Sequence, residues 1–186
     1  MSENKQLNGV DLKVMAEIGE AGRSNRDATK FTLAVNGTWN GGSKMTATTG
    51  AAVMGCQRDD VRAGRFTMVS DEPVPRGSDE GPNPVEYLLQ ALGTCYTVGI
   101  ATIAAQRGIE LESFRLELEA DVDLAAFFEV DPSVAPVVSQ IRANVFAESS
   151  NASREQLDEW IAAIQQASTL RDRLVCPVEV ITKVAN

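Results

Sequence analysis

The chain contains no histidine. That removes the one side chain that ordinarily titrates near neutral pH, the commonest metal ligand, and the base of every Ser/His/Asp or Cys/His catalytic group. A nucleophile here must be activated by a cation, by hydrogen bonds or by a carboxylate, and only cysteine becomes a good nucleophile by such means. Cysteine is itself scarce. Cys56, Cys95 and Cys176 stand too far apart in sequence for a close-spaced metal pattern, so no metal is expected. Cations are also outnumbered, 17 Lys and Arg against 26 Asp and Glu, for a formal net charge of -9. No stretch gathers them into a basic stripe, which argues against nucleic acid and acidic membranes as partners. The polar start, Met1 to Asn8, lacks the apolar core of a signal peptide, and the chain reads as cytoplasmic.

The 186 residues fit one domain, or one protomer of an interwoven dimer. A loosely attached arm is expected over residues 1–29, with a short helix from Val10 to Ile18, and a single domain over 30–186. From Phe31 the pattern turns β. Phe31, Leu33 and Val35 alternate with small residues, Trp39-Asn40-Gly41-Gly42 reads as a turn, and Met45 to Thr49 as the return strand of a hairpin. A third strand, Arg65 to Ser70, leads into a loop from Asp71 to Asn83 rich in Pro, Gly and acids, of a length that usually lines a site.

Asn83 followed by Pro84 is a strong helix start and Arg107-Gly108 a matching stop, which predicts a helix of about 23 residues, roughly 35 Å long. From Tyr87 to Ala105 it carries no charge. That approaches the length of a membrane span, but Gln90, Thr94, Thr97 and Thr102 dilute it and no aromatic belt flanks it, so a helix buried in a soluble core fits better. Two half-buried strands follow, Phe114 to Val122 and Ile141 to Val145, joined by an apolar connection holding Phe127, Phe128, Pro132 and Pro136. Ser153 and Gln156 form a capping box before Leu157, Trp160, Ile161 and Ile164 at helical spacing. A short helix over Ser168 to Leu174 and a closing strand over Val178 to Val184 complete an α+β chain of mainly antiparallel strands without internal repeats.

The segment Gly81 to Cys95, GPNPVEYLLQALGTC, resembles the signature that precedes the first reactive cysteine of OsmC/Ohr proteins, the osmotically inducible and organic hydroperoxide resistance family. Trp39 to Gly42 is similar to their early hairpin turn. The resemblance implies an intertwined homodimer whose sheets wrap two central helices. It also implies a peroxidase in which a cysteine thiolate attacks an organic hydroperoxide, a second cysteine resolves the sulfenic acid, and an Arg with a Glu activates the thiolate.

Carried onto this chain, the resemblance makes Cys95 the nucleophile and Arg76 its activating cation, with Arg62 and Lys44 in reserve. It puts its carboxylate at the position of Val85, whereas here Glu86 stands one residue later, on the face of a straight helix opposite Cys95; Glu86 is the candidate, and also a candidate helix cap. Cys95 lies about three turns into the helix, past the reach of the helix dipole. A free Cys in an apolar helix is also commonly an inert buried thiol. At the resolving position an ungapped register puts Ser168; Cys176, in the step Cys176-Pro177, is the other possibility. Serine cannot form a disulfide, so oxidised Cys95 would then need an external thiol or a lipoyl reductant. Phe127 and Phe128 are candidates for an apolar substrate mouth. Two functions follow as expectations. One is an organic hydroperoxide reductase needing no metal or organic cofactor; the other is a dimeric binding protein for small apolar or thiol-containing ligands that has lost turnover.

Overall fold

The computed structural model describes residues 6–134, 138–176 and 178–184. It divides into two compact units, one spanning residues 11–88 and the other residues 6–10 with 89–186.

The first unit opens with helix α1 (Leu12–Ser24), which starts after its cap Asp11, whose side chain accepts from the N–H groups of Lys13 and Val14, and runs past the expected end at Ile18 to Ser24. The strand expected from Phe31 is split. β1 (Phe31–Thr32) pairs with β3 (Ala52–Met54), which pairs with β4 (Gln57–Asp59), while β2 (Val35–Trp39) starts a second sheet. The β3–β4 hairpin has no Asn-Gly signal in sequence. Its two turn residues, Gly55 and Cys56, both hold positive φ, 56° and 72°, as the tightest hairpin turns require. Cys56 is therefore an exposed turn residue. The expected hairpin forms from β2 and β5 (Met45–Thr49), with Val35 opposite Thr49 and Trp39 opposite Met45, and β6 (Thr67–Ser70) adds to it antiparallel.

The loop after β6 is organised by Asp71, 1% exposed. Its carboxylate accepts from the Ser43 hydroxyl at 2.6 Å and from the N–H groups of Glu72 (2.8 Å), Ser78 (3.0 Å) and Glu80 (3.3 Å). Gly77 is needed beside it, because a Cβ there would run into the Glu72 carbonyl, the Asp71 carboxylate and the Ser43 hydroxyl. These bonds, the Ser43 hydroxyl first, hold the Asp71 carboxyl at about 2, below its ordinary 3.8. A carboxyl that titrates lower when folded contributes stability above its unfolded value, and that stability is lost as pH falls from about 3.8 toward 2. Asp71→Asn should therefore lower hydrogen-exchange protection of the Glu72, Ser78 and Glu80 amides at pH 7, a loosening the unchanged protein shows only in acid. Equal protection in both proteins at pH 7 would contradict this role.

Helix α2 (Pro84–Gln106) begins in the first unit and continues in the second, with the start and stop expected from Asn83-Pro84 and Arg107-Gly108. Its length and composition would suit a membrane span. Leu92, Tyr96, Ile100 and Ala104, one turn apart, instead form a buried stripe that packs in the core of the second unit. Around it stand Leu157, Trp160 and Ile164 of α3 (Arg154–Ala167) and inward residues of β7 (Leu111–Val122) and β8 (Val138–Ser149). β7 and β8 form a two-stranded antiparallel ribbon, longer than the alternating pattern indicated, with Leu118 opposite Ala143 and Leu116 opposite Val145. The Ser153–Gln156 capping box starts α3 as expected. Near the chain start, the Asn8 side chain bonds Ile109 O at 2.9 Å and Leu111 N at 3.0 Å.

The expected closing strand does not form. Residues 178–184 carry no strand pairing, and Val180 and Val184 are 80% and 93% exposed. Alternation makes a segment fit for a strand, but a strand forms only where the segment is brought alongside a partner strand, and residues 178–184 pair with neither edge of the β7–β8 ribbon. Pro136 and Pro177 lie outside the described residues.

Candidate functional site

Cys95 sits on α2, where its neighbours Leu92 and Tyr96 face the core and Thr94 faces solvent, so its thiol is half-buried rather than sealed in hydrocarbon. Its Sγ lies 3.3 Å from Ser168 Oγ, across 73 residues of sequence. Ser168 is held at the junction of two helices. Its N–H closes α3 on Ile164 O at 2.9 Å, and its side chain caps α4 (Thr169–Val175), accepting from Arg171 N at 3.2 Å. It is only 6% exposed, a buried hydroxyl whose neighbours are this N–H and the thiol. Either the thiol or the hydroxyl can donate across this contact.

The second unit also holds a cavity of about 370 Å³, lined by Tyr96, the residue after Cys95 in sequence, but by neither Cys95 nor Ser168. Leu92, Ile141 and Leu174 give it an apolar wall, and Tyr96, Gln165 and Arg171 a polar one. Burial raises the Tyr96 phenol above its ordinary value, a shift that the Arg171 charge opposes and a Cys95 thiolate adds to.

The other expected residues have local partners. Arg76 is ion-paired to Glu72 at 2.8 Å inside the first unit's loop. Of its reserves, Lys44 is paired to Glu80 and Arg62 stacks over the Phe66 ring at 5.5 Å. Glu86 caps α2, its carboxylate accepting from Asn83 N at 2.8 Å while its own N–H bonds Asn83 Oδ1 at 2.9 Å. Phe127 and Phe128 stack edge to face, ring centres 5.1 Å apart, and are both exposed. Cys176 is exposed at the end of α4. The structure thus joins Cys95 to Ser168. It adds Tyr96 and Arg171, which no spacing rule flagged, because α2 and α4 are brought together only by packing.

The class defined by this fold and site is an α+β chain whose long apolar helix carries a cysteine to a buried serine hydroxyl. Within that class the family model described as OsmC-like protein matches residues 77–183, more than half of the chain, and the chain belongs to that family. It is similar to an OsmC-like protein of Mycoplasma pneumoniae, with TM-score 0.62 and 16% identity over 78% of this chain and 89% of that one. An OsmC-like protein of unknown function from Vibrio cholerae gives TM-score 0.59 at 14% identity, over 83% and 99% of the two chains. An organic hydroperoxide resistance protein of Elizabethkingia anophelis gives 0.56 at 12%, over 81% and 93%. Among curated proteins it is 36% identical over 59 residues to the uncharacterized protein YmaD of Bacillus subtilis, a match spanning 32% of this chain and 39% of that protein. The fold is accordingly the OsmC-like α+β fold, with antiparallel sheets and one long helix.

Proposed function

We propose that this protein is a soluble, cytoplasmic reductase of organic hydroperoxides that works with one cysteine and an outside thiol. The observation that supports the reading is the 3.3 Å contact between Cys95 Sγ and Ser168 Oγ, with Ser168 taken as the residue at the resolving position. The Cys95 thiolate attacks the distal peroxide oxygen, the O–O bond breaks, and the alkoxide leaves and takes up a proton. Cys95 sulfenic acid then condenses with an outside thiol, releasing water, and a second thiol displaces the protein from the mixed disulfide. A dithiol such as reduced lipoamide supplies both. That organic hydroperoxide resistance proteins share this fold supports the substrate class. Phe127 and Phe128 are proposed to form its apolar mouth, and Arg76 and Glu86 to assist.

The test is consumption of cumene or tert-butyl hydroperoxide under dithiothreitol or reduced lipoamide. Absence of consumption by the unchanged protein would favour the binding-protein alternative, a reading consistent with the local engagement of Arg76 by Glu72 and of Glu86 by Asn83.

We further propose that it acts as a homodimer. Leu33, Trp39, Val98, Phe127, Val180 and Val184 are exposed large apolar side chains of the kind that a second copy of the chain would cover. Sedimentation equilibrium should return twice the chain mass; a single-chain mass at micromolar concentration would refute it.

A further inference from the structure

We propose that the cavity lined by α2, β8, α3 and α4 in the second unit is a binding site for a small apolar carboxylate, with Arg171 and Tyr96 holding the carboxylate group. The proposal does not rest on Cys95 reacting with peroxide, since neither Cys95 nor Ser168 lines this cavity.

Two polar groups in the cavity have bonding capacity to spare. Tyr96 is only 6% exposed, yet among the described residues its hydroxyl has no hydrogen-bond partner, whereas a buried phenol usually finds one. Arg171 is half-buried, and among the described residues no carboxylate lies within ion-pair distance of it. Its neighbours differ, Arg142 pairing with Glu119 and Asp121, Arg154 with Asp158 and Arg173 with Asp172. Of the five N–H groups on the Arg171 guanidinium, one donates to the Gln165 carbonyl at 3.4 Å. The polar side chains that β8 brings to the cavity are already engaged: the Ser139 hydroxyl donates to Asp121 O at 3.3 Å, and Gln140 Oε1 accepts from Arg142 at 2.9 Å. Both Tyr96 and Arg171 line the one cavity, and the Arg171 charge reaches the Tyr96 phenol. Burial raises that phenol above its ordinary value, so it keeps its proton at neutral pH and can donate.

The chemistry of these groups selects the ligand. Although the chain carries a net charge of -9, no acidic residue stands among those lining the cavity, and a cation without a partner there favours an anion. One guanidinium matches one negative charge. A carboxylate takes two parallel N–H bonds from its fork, and the phenol donates to either oxygen, whereas a phosphate would bring more charge than one cation offsets. Leu92, Ile141 and Leu174 surround the rest of the space with hydrocarbon. A volume of about 370 Å³ lies at the small end of ligand pockets, roughly 300 to 1,000 Å³, which suits a compact alkyl or aryl body rather than a peptide.

The experiment is calorimetric titration of the whole chain with octanoate, without peroxide or reductant. Saturable binding of one octanoate per chain is expected, with octanol, which lacks the charge, weaker by roughly tenfold or more. Arg171→Gln should weaken octanoate roughly tenfold, and Tyr96→Phe, which removes only the hydroxyl, several-fold. Arg173→Gln removes a charge from the same helix outside the cavity and should leave the affinity unchanged. No saturable octanoate binding, or equal binding of octanol, would overturn the proposal. So would an unmoved affinity in Arg171→Gln, or an equal loss in Arg173→Gln, which would mark net charge rather than the cavity. Where Arg171→Gln fails to fold, Tyr96→Phe decides, and an unchanged octanoate affinity in that variant sinks the site. Peroxide consumption has no part in these outcomes, so the peroxidase reading and this one can fail separately.

Discussion

Cys95→Ser is expected to reduce consumption of organic hydroperoxide to the buffer rate. A serine hydroxyl has no accessible anion at neutral pH, and with no histidine in the chain nothing stands by to take its proton. The fold should survive, because the new hydroxyl is smaller than the thiol, sits in a half-buried position and can still bond Ser168; the expected change in stability is about 1 kcal/mol or less. That combination makes the variant a clean test. Loss of turnover with an unchanged thermal transition assigns the chemistry to Cys95. Retained turnover would move it to Cys56 or Cys176, both exposed, and would sink the proposed mechanism.

Ser168→Cys should turn the external-thiol cycle into an internal one. The Sγ to Oγ distance of 3.3 Å is close to what a second sulfur needs, since a disulfide requires sulfurs about 2.0 Å apart and sulfur reaches further from Cβ than oxygen does. One equivalent of cumene hydroperoxide, without reductant, should then cost two titratable thiols per chain in the variant and one in the unchanged protein. The variant should be two hydrogens lighter by mass spectrometry. The bond would close a loop of 73 residues, worth about 4 kcal/mol in the chain-entropy account, against about 1 kcal/mol lost with the Ser168 helix cap. Oxidation of Cys95 to sulfinic or sulfonic acid with no internal disulfide would show that Ser168 does not occupy the resolving position.

Much of this was legible in sequence because the signals were local. Asn83-Pro84 and Arg107-Gly108 bracket a helix by capping and by proline's missing N–H, whatever packs around it. The Ser153–Gln156 box starts α3 for the same kind of reason. Alternation found β7 and β8, though not their full length, since their ends are set by mutual pairing. The β3–β4 hairpin escaped because a Gly-Cys turn is not a typical hairpin turn sequence. The closing strand was expected from alternation alone, and alternation does not bring a segment alongside a partner strand.

The sequence by itself determined the chemistry open to the protein. Without histidine and with three scattered cysteines, a thiol is the nucleophile that the sequence offers, and the segment from Gly81 to Cys95 resembles the family to which the chain belongs. Only the tertiary structure decided what surrounds that thiol. Ser168 stands more than seventy residues from Cys95, and no periodicity connects a residue on α2 to a helix junction that far along the chain. The meeting of Cys95 with Ser168 follows from the packing of Leu92, Tyr96 and Ile100 of α2 with Trp160 and Ile164 of α3, the helix whose last turn Ser168 closes.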